Sequence, residues 1–164
     1  GAAAAATSFA WDIFVLCGDP QHPDPDKRGN IRGDAFASPD GLWFDPDGRL
    51  WIATDISGSA VNRGDHERFG NNQLLVADVA SGEIRRFLTG PRGCEITGLT
   101  ASPDGCNLFI NVQHPGEVVG GRFAPAKPLT GAVWPASQFP ELTGGRPRSA
   151  TMVIRRQDGG IVGC

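Results

Sequence analysis

The residues best suited to chemistry lie at the two ends of one predicted hairpin. Arg92, Cys94 and Glu95 come just before its first strand, residues 96–101, and Gln113, His114 and Glu117 follow its second strand, residues 108–112. A Pro-Asp-Gly turn joins the strands. Antiparallel strands bring their open ends together, so we expect these side chains to be neighbours. Arg92 could hold a phosphate, and His114 could be a ligand, an acid/base or a hydrogen-bond donor; a solvated arginine and a purely structural histidine are the alternatives.

The hairpin pattern occurs twice in the chain. Gly41-Leu42 with Pro46-Asp47-Gly48 recurs 57 residues later as Gly98-Leu99 with Pro103-Asp104-Gly105. Each hairpin is followed by a second one, which gives two units of four antiparallel strands, at about 36–90 and 91–164, with a long loop at 118–148. Repeated four-stranded units are typical of β-propeller blades. We therefore predict an all-β fold with two four-stranded antiparallel blades of a propeller; a β-sandwich with coincidentally similar turns is the alternative.

Acidic residues next to the first strand of each unit form a candidate metal site. In a propeller these strands line the central channel, and the residues before them open onto one of its ends. Asp40 and Glu95 would therefore converge from neighbouring blades, with Asp55 and Asp34 as weaker candidates. Hard cations such as Ca²⁺ bind several carboxylate oxygens, and ferric iron also accepts carboxylate. For Asp40, a capping role in its Ser-Pro-Asp-Gly turn is the alternative.

The remaining segments are predicted from short apolar runs and turn residues. We expect residues 1–10 to be a flexible lead-in and residues 11–17 to form a strand. Residues 151–154 and 160–162 are predicted to form a last hairpin. Turn chemistry accounts for three aspartates at the far end of the hairpins from the candidate site, which are Asp45, Asp47 and Asp104.

Composition limits the partners that we expect. The chain has 164 residues and a net charge of −3, with no basic stripe that would indicate nucleic acid or an anionic membrane. No apolar run approaches the length of a transmembrane helix. The four cysteines lack zinc spacing, and Cys94 and Cys106 lie at opposite ends of one strand, too far apart for a disulfide.

Two blades are too few to close a propeller, which has about four to eight. The chain also begins and ends abruptly. We therefore expect a fragment of a longer protein, or a module that assembles with copies of itself.

Several motifs together resemble the C-terminal portion of PhoX-type alkaline phosphatases. They occur in the family's order from about Trp11 to the end of the chain. They are Asp-Ala-Phe-Ala-Ser-Pro-Asp-Gly-Leu-Trp-Phe-Asp (34–45), Gly-Arg-Leu-Trp-Ile-Ala-Thr-Asp (48–55), Gly70-Asn71-Asn72, Arg85-Arg86-Phe87-Leu88, Gly-Pro-Arg-Gly-Cys-Glu-Ile-Thr-Gly (90–98), Asn-Val-Gln-His-Pro-Gly-Glu (111–117) and Arg-Pro-Arg-Ser-Ala-Thr (146–151). The resemblance implies a six-bladed propeller, a periplasmic or secreted location, and a calcium- and iron-containing site that hydrolyses phosphate monoesters.

The resemblance also implies that this chain alone is catalytically incomplete. The family's site draws on N-terminal cysteine and glutamate ligands and on an Arg-Pro-Glu-Trp motif, which this sequence lacks. Asp40 and Glu95 carry over as metal-facing carboxylates, and Asp34 and Asp55 more weakly. Two alternatives remain: a two-blade module that self-assembles into a ring as a binding scaffold, and a lactonase-like calcium hydrolase.

Overall fold

The fold of the chain is all-β. A computed structural model describes residues 5–117, 132–139, 141 and 146–163. Its eight strands form one five-stranded sheet and one three-stranded sheet. Two short 3₁₀ helices, Pro25–Lys27 and Gly64–Phe69, lie in the connections. Over the described ranges, no helix has the length and apolar character needed to cross a bilayer.

The first sheet contains the four antiparallel strands that the turn pattern predicts. They are β2 (Pro39–Phe44), β3 (Leu50–Thr54), β4 (Gln73–Asp78) and β5 (Glu83–Thr89), each paired with the next. A two-residue strand, β1 (Arg32–Gly33), pairs in parallel with β5, so the spatial order is β1-β5-β4-β3-β2. The sequence pattern did not predict β1, since two residues carry no periodicity.

The second sheet has three strands in the order β6-β7-β8. They are β6 (Glu95–Ala101), β7 (Leu108–Gln113) and β8 (Ala150–Ile154). The predicted last hairpin forms only its first strand, so the strand expected at 160–162 is wrong. Instead, the Val162 N–H donates to the Gly105 carbonyl at 3.0 Å, and the Val162 side chain is buried in the core. Of the predicted loop at 118–148, residues 118–131, 140 and 142–145 lie outside the described residues.

The repeat seen in the sequence is visible in the strands. Both β2 and β6 carry a register shift, between Pro39 and Leu42 in β2 and between Thr97 and Thr100 in β6. Each shift contains the glycine that occupies the same position in the repeat, Gly41 or Gly98. An extra residue of this kind bends a strand and increases its twist. The two first strands thus carry a bulge at the same position of the repeat.

The two sheets pack against each other through an apolar core. β6 contacts β2, β3 and β4 of the first sheet. Trp51 from β3 lies edge-on to Phe87 from β5, with ring centroids 5.0 Å apart. Buried side chains of both sheets complete this core, including Leu74, Ile96, Leu108, Ile110 and Val112. Burial of these groups holds the two sheets in one unit.

The N-terminal segment lies over the other face of the first sheet and is not a strand. Residues 11–17, predicted as a strand, have no strand partner. Leu16 instead bonds to Asn30 through its N–H and its carbonyl. Val15 and Cys17 pack against a buried apolar cluster that contains Phe36 and side chains of β3, β4 and β5. β1 already occupies the outer edge of β5, so this segment covers a sheet face rather than extending the sheet.

Candidate functional site

Three acidic residues meet where the two sheets present their open ends. Asp40 lies in β2, Asp55 directly follows β3, and Glu95 is the first residue of β6. The Asp55 N–H donates to the Ser38 carbonyl at 3.0 Å, and Pro39 pairs with Thr54, so Asp40 and Asp55 lie on the same side of the β2–β3 hairpin. Packing of β6 against these strands brings Glu95 to the same end.

The charge on Glu95 is disfavoured by its surroundings. Its residue is only 9% exposed, and burial raises the pKa of its carboxyl. The negative charge of Asp55 raises that pKa further, and the charge of Asp40 adds to the effect, while His114 opposes it. The Gln113 side chain donates to Glu95 Oε2 at 2.6 Å across the β6–β7 pair. Asp55 and Asp40 of the first sheet therefore act on Glu95 of the second.

His114 stands between two glutamates. Its Nε2 lies 3.5 Å from Glu95 Oε2, and its Nδ1 lies 3.3 Å from Glu117 Oε2 and from the Gly93 carbonyl. The backbone at His114 has a positive φ of 37°, and its N–H donates to Ser149 Oγ at 3.0 Å. Glu117 belongs to the polar residues predicted to be neighbours at the open end of this hairpin, although it is not among the predicted metal or substrate contacts.

Arg92 presents an exposed side chain at the edge of this group. Its carbonyl accepts the Gly116 N–H at 3.0 Å, which ties the segment before β6 to the turn after β7. The structure thus brings Arg92, Glu95 and His114 to one end of the second sheet, as the hairpin argument predicts for their positions.

Asp34 is the one predicted site residue that the structure does not bring to this group. Its Oδ2 accepts the Arg86 N–H of β5 at 2.8 Å, directly after β1. β1 and β2 are the opposite edges of the first sheet. Four inter-strand spacings separate them, or about 19 Å.

Asn72 is a functional candidate that the sequence reasoning missed. The residue is 3% exposed and lies between the end of the 3₁₀ helix and β4. Its Oδ1 accepts from Thr54 Oγ1 at 3.0 Å and from the Ile56 N–H at 2.6 Å. Its Nδ2 donates to the carbonyls of Ile56 at 3.1 Å and Cys94 at 2.9 Å. One amide therefore bonds to both chain neighbours of Asp55 and to the residue before Glu95.

The hairpin turns lie at the far end of the sheets, as predicted. Asp45 is buried, and its Oδ2 accepts from Trp51 Nε1 at 2.8 Å and from Arg49 Nε at 2.7 Å. Its Oδ1 accepts the N–H groups of Asp47 and Arg49. Asp104 likewise accepts from Ser102 Oγ and the Cys106 N–H. These carboxylates are satisfied within their own turns.

The donor chemistry of the Asp40, Asp55 and Glu95 group suits part of a hard-cation shell. These three carboxylates supply oxygen donors, and no arginine or lysine in the described part of the chain forms an ion pair with any of them. Among the described residues, His114 is the only basic side chain that pairs with one of them, so an excess of negative charge remains that favours a cation. No group of three or more His, Cys, Asp or Glu residues in the described ranges is arranged to hold a metal ion. Further ligands are needed to complete a site.

The fold and site define an all-β protein in which carboxylates of two packed sheets meet at one end. The family model for alkaline phosphatase PhoX matches residues 1–116, and the chain belongs to the PhoX alkaline phosphatase family. A solved structure of Pseudomonas fluorescens PhoX in complex with vanadate, a transition state analogue, is similar to this chain. The two are 46% identical with a TM-score of 0.72, over 92% of this chain and 24% of that one. The chain thus spans about a quarter of the length of that structure. Comparison with curated proteins gave no match.

Proposed function

We propose that this chain forms part of a metal-dependent PhoX-type phosphatase that hydrolyses phosphate monoesters. Asp40, Asp55 and Glu95 are its contribution to the metal site. The observation that carries the proposal is that Asp40 and Asp55 of the first sheet and the buried Glu95 of the second lie at one end of the packed sheets, with His114 as the basic side chain beside Glu95. Several carboxylates that converge in this way are suited to a metal ion. Family membership supplies the reaction.

Calcium and iron are the proposed metals, by analogy with the family. Bound cations would neutralise charge on the transferring phosphoryl oxygens. The residues of this chain orient the site. Gln113 and His114 both contact Oε2 of Glu95, at 2.6 and 3.5 Å. Arg92 is the proposed contact for the substrate phosphate, with His114 as a second substrate-facing group.

A six-bladed propeller is the proposed architecture of the whole protein. The 57-residue repeat, the matching register shifts in β2 and β6 and the face-to-face packing of the sheets support it. We propose a periplasmic or secreted location for the same protein, on the family resemblance alone.

The site is proposed to be incomplete within these residues. The chain spans 24% of the similar PhoX structure, and its carboxylates fit only part of a coordination shell. The remaining blades would also cover apolar side chains at the sheet edges. Leu42 and Phe44 on β2 are 64% and 61% exposed, and Val153 on β8 is 54% exposed. The same exposed faces favour the second candidate, a module that closes a ring with copies of itself and serves as a binding scaffold.

A chimeric enzyme tests the proposal. Residues 11–164 would replace the corresponding segment of Pseudomonas fluorescens PhoX, and hydrolysis of p-nitrophenyl phosphate would be followed with Ca²⁺ and Fe³⁺. We expect turnover by the chimera and none by the isolated chain. Glu95→Gln in the chimera should lower kcat/KM at least about 100-fold, because a metal-facing charge is lost.

Glu67→Gln is the matched control, since Glu67 is an exposed glutamate on the Gly64–Phe69 helix. It should leave turnover unchanged. Full activity of the Glu95→Gln chimera would refute the proposed role of Glu95. Turnover by the isolated chain at the rate of the chimera would show that the site is complete.

A further inference from the structure

We infer that Asn72 is a positioning residue that holds the acidic groups of the two sheets at their working separation. The inference rests on the proposed function, because it concerns Asp55 and Glu95. By this inference, Asn72 connects the segment that carries Asp55 to the segment that carries Glu95. Asn72 itself faces neither the substrate nor a metal.

The hydrogen bonds of Asn72 use the full capacity of its side chain. An amide has one oxygen with two lone pairs and one nitrogen with two hydrogens. The oxygen accepts from Thr54 and Ile56, and the nitrogen donates to Ile56 and Cys94. Three of these bonds fix the chain immediately on either side of Asp55. The fourth crosses to the second sheet and fixes the residue before Glu95.

Few other polar contacts link these two segments. The side chain of Asn71 bonds to the Gly90 carbonyl, and the Asn72 carbonyl accepts the Gly90 N–H, but both contacts lie four or more residues before Glu95. The remaining connection is apolar packing, with Ala53, Leu74, Cys94 and Ile96 in one cluster. Apolar packing is non-directional, whereas a hydrogen bond also fixes the orientation of the groups that it joins.

Repulsion between like charges makes this restraint necessary. Asp55 acts on Glu95 through its negative charge, so the two carboxylates favour moving apart. A buried, fully bonded amide resists that displacement because its donors and acceptors find no replacement if the bonds break. Asn72 therefore keeps the pair close enough to share a cation.

Gln73 provides a matched control within the same fold. It is also a fully buried amide, and it donates to the Phe69 carbonyl at 2.8 Å and accepts from Arg86 Nε at 2.6 Å. Both of those partners belong to the first sheet or its connections. Asn72→Leu and Gln73→Met each replace a buried amide by an apolar group of similar size, but only the first removes the bond between the sheets.

A double-mutant cycle on the 164-residue chain tests the inference without metal or activity. Asp55→Asn, Glu95→Gln and their combination would be made in the wild-type, Asn72→Leu and Gln73→Met backgrounds. Urea unfolding at low salt gives the unfolding equilibrium constant of each. In the wild-type background we expect the effects of the two substitutions on the unfolding equilibrium constant to be coupled by about threefold. The sign should show that the charges of Asp55 and Glu95 destabilise the fold when both are present. The coupling should persist in Gln73→Met and disappear in Asn72→Leu.

Loss of stability alone would not produce this result, because both amide variants should unfold more easily. If Asn72→Leu does not fold, Asn72→Ser serves instead, since its shorter side chain is unable to span Ile56 and Cys94. Unchanged coupling in the Asn72 variants, or no coupling in the wild type, would overturn the inference. An inactive chimera with intact coupling would instead count against the proposed function and leave this inference standing.

Discussion

Glu95 shows how a single residue at this site depends on both sheets. Its backbone begins β6, its carboxylate is held by Gln113 and His114, and its pKa is raised by burial and by the charges of Asp55 and Asp40. The first two contacts come from its own hairpin, while the charges come from the first sheet. A residue of this kind is suited to bind a cation only when both sheets are in place.

Asp55 and Asp34 test whether activity depends on a carboxylate at the proposed metal site or on any aspartate of the first sheet. In the chimera, Asp55→Asn should lower kcat/KM by about 10-fold or more, because a carboxylate that acts on Glu95 loses its charge. Asp34→Asn should leave it unchanged, because Asp34 bonds at the opposite edge of the sheet and an asparagine oxygen can still accept the Arg86 N–H. Steady-state hydrolysis of p-nitrophenyl phosphate measures both. An equal loss in the two variants would contradict the separation seen here.

At the scale of elements, the first strand of each unit has a bulge that contains a glycine. The bend in β6 centres on Gly98, whose φ is +65°, a region that other residues rarely adopt. A Cβ there would collide with the Asn111 side chain. The equivalent Gly41 in β2 meets only the Ala53 Cβ at 3.4 Å. The two bends therefore tolerate a side chain differently.

Substitution by alanine should reveal that difference. Gly98→Ala should lower the free energy of unfolding by about 2 kcal/mol, through backbone strain and displacement of Asn111. Gly41→Ala should change it by less than about 1 kcal/mol, because an ordinary contact replaces open space. Urea denaturation of the two variants gives the comparison. Equal losses would mean that the bend does not depend on the positive φ.

The β2–β3 turn is stabilised by one buried carboxylate. Burial raises the pKa of Asp45, but hydrogen bonds from Trp51 and Arg49 outweigh it and leave the pKa below its ordinary value. A depressed pKa stabilises the fold above the unfolded-state value of about 3.9, and the contribution is lost as the pH falls through the folded-state pKa.

Asp45→Asn should therefore destabilise the protein in a pH-dependent way. We expect a loss of about 2 kcal/mol at pH 7 that shrinks below about pH 4, as the wild-type carboxyl becomes protonated. Asp104→Asn, in the exposed turn of the other hairpin, should cost less. Thermal or urea unfolding between pH 3 and 7, at roughly one-unit steps, measures the difference. A loss that is constant across this range would show that the charge of Asp45 is unimportant.

At the scale of the whole molecule, apolar side chains remain on the outer strands. Leu42 and Phe44 lie on β2, which is the edge of the first sheet, and Val153 lies on β8, which is the edge of the second. Exposed apolar groups on edge strands favour association with further strands or sheets. In the proposed propeller, the neighbouring blades supply those partners.

Mass in solution distinguishes the two proposed roles. If the chain is part of a longer phosphatase, sedimentation velocity should show a monomer at low concentration. At higher concentration it should show larger species without one defined size. Phe44→Lys should reduce that association, and Glu67→Lys, at an exposed site on the 3₁₀ helix, should not. A discrete trimer that persists on dilution would favour the self-assembling ring and would count against the fragment interpretation.

Local chemistry made much of the fold predictable. Pro-Asp-Gly turns flanked by apolar runs specify hairpins, and a period of 57 residues relates the two units, so seven of the eight strands and the shared end of Arg92, Glu95 and His114 follow from the sequence. The failures at 11–17 and 160–162 have different causes. β1 occupies the edge of β5, so residues 11–17 cover a sheet face, whereas the outer edge of β8 stays free of any strand in the described ranges and Val162 bonds to the Gly105 carbonyl of the hairpin turn instead.

The order of residues therefore determined the strands, the turns and the side of each hairpin on which its acids lie. Tertiary structure alone decided that Asp34 lies at the far edge of the first sheet and that Asn72 bonds to both acidic segments. The physical reason is the separation along the chain over which each interaction acts. Turn and strand preferences act over a few residues, whereas the charge on Glu95 depends on groups about 40 to 55 positions away in the chain that only packing brings near.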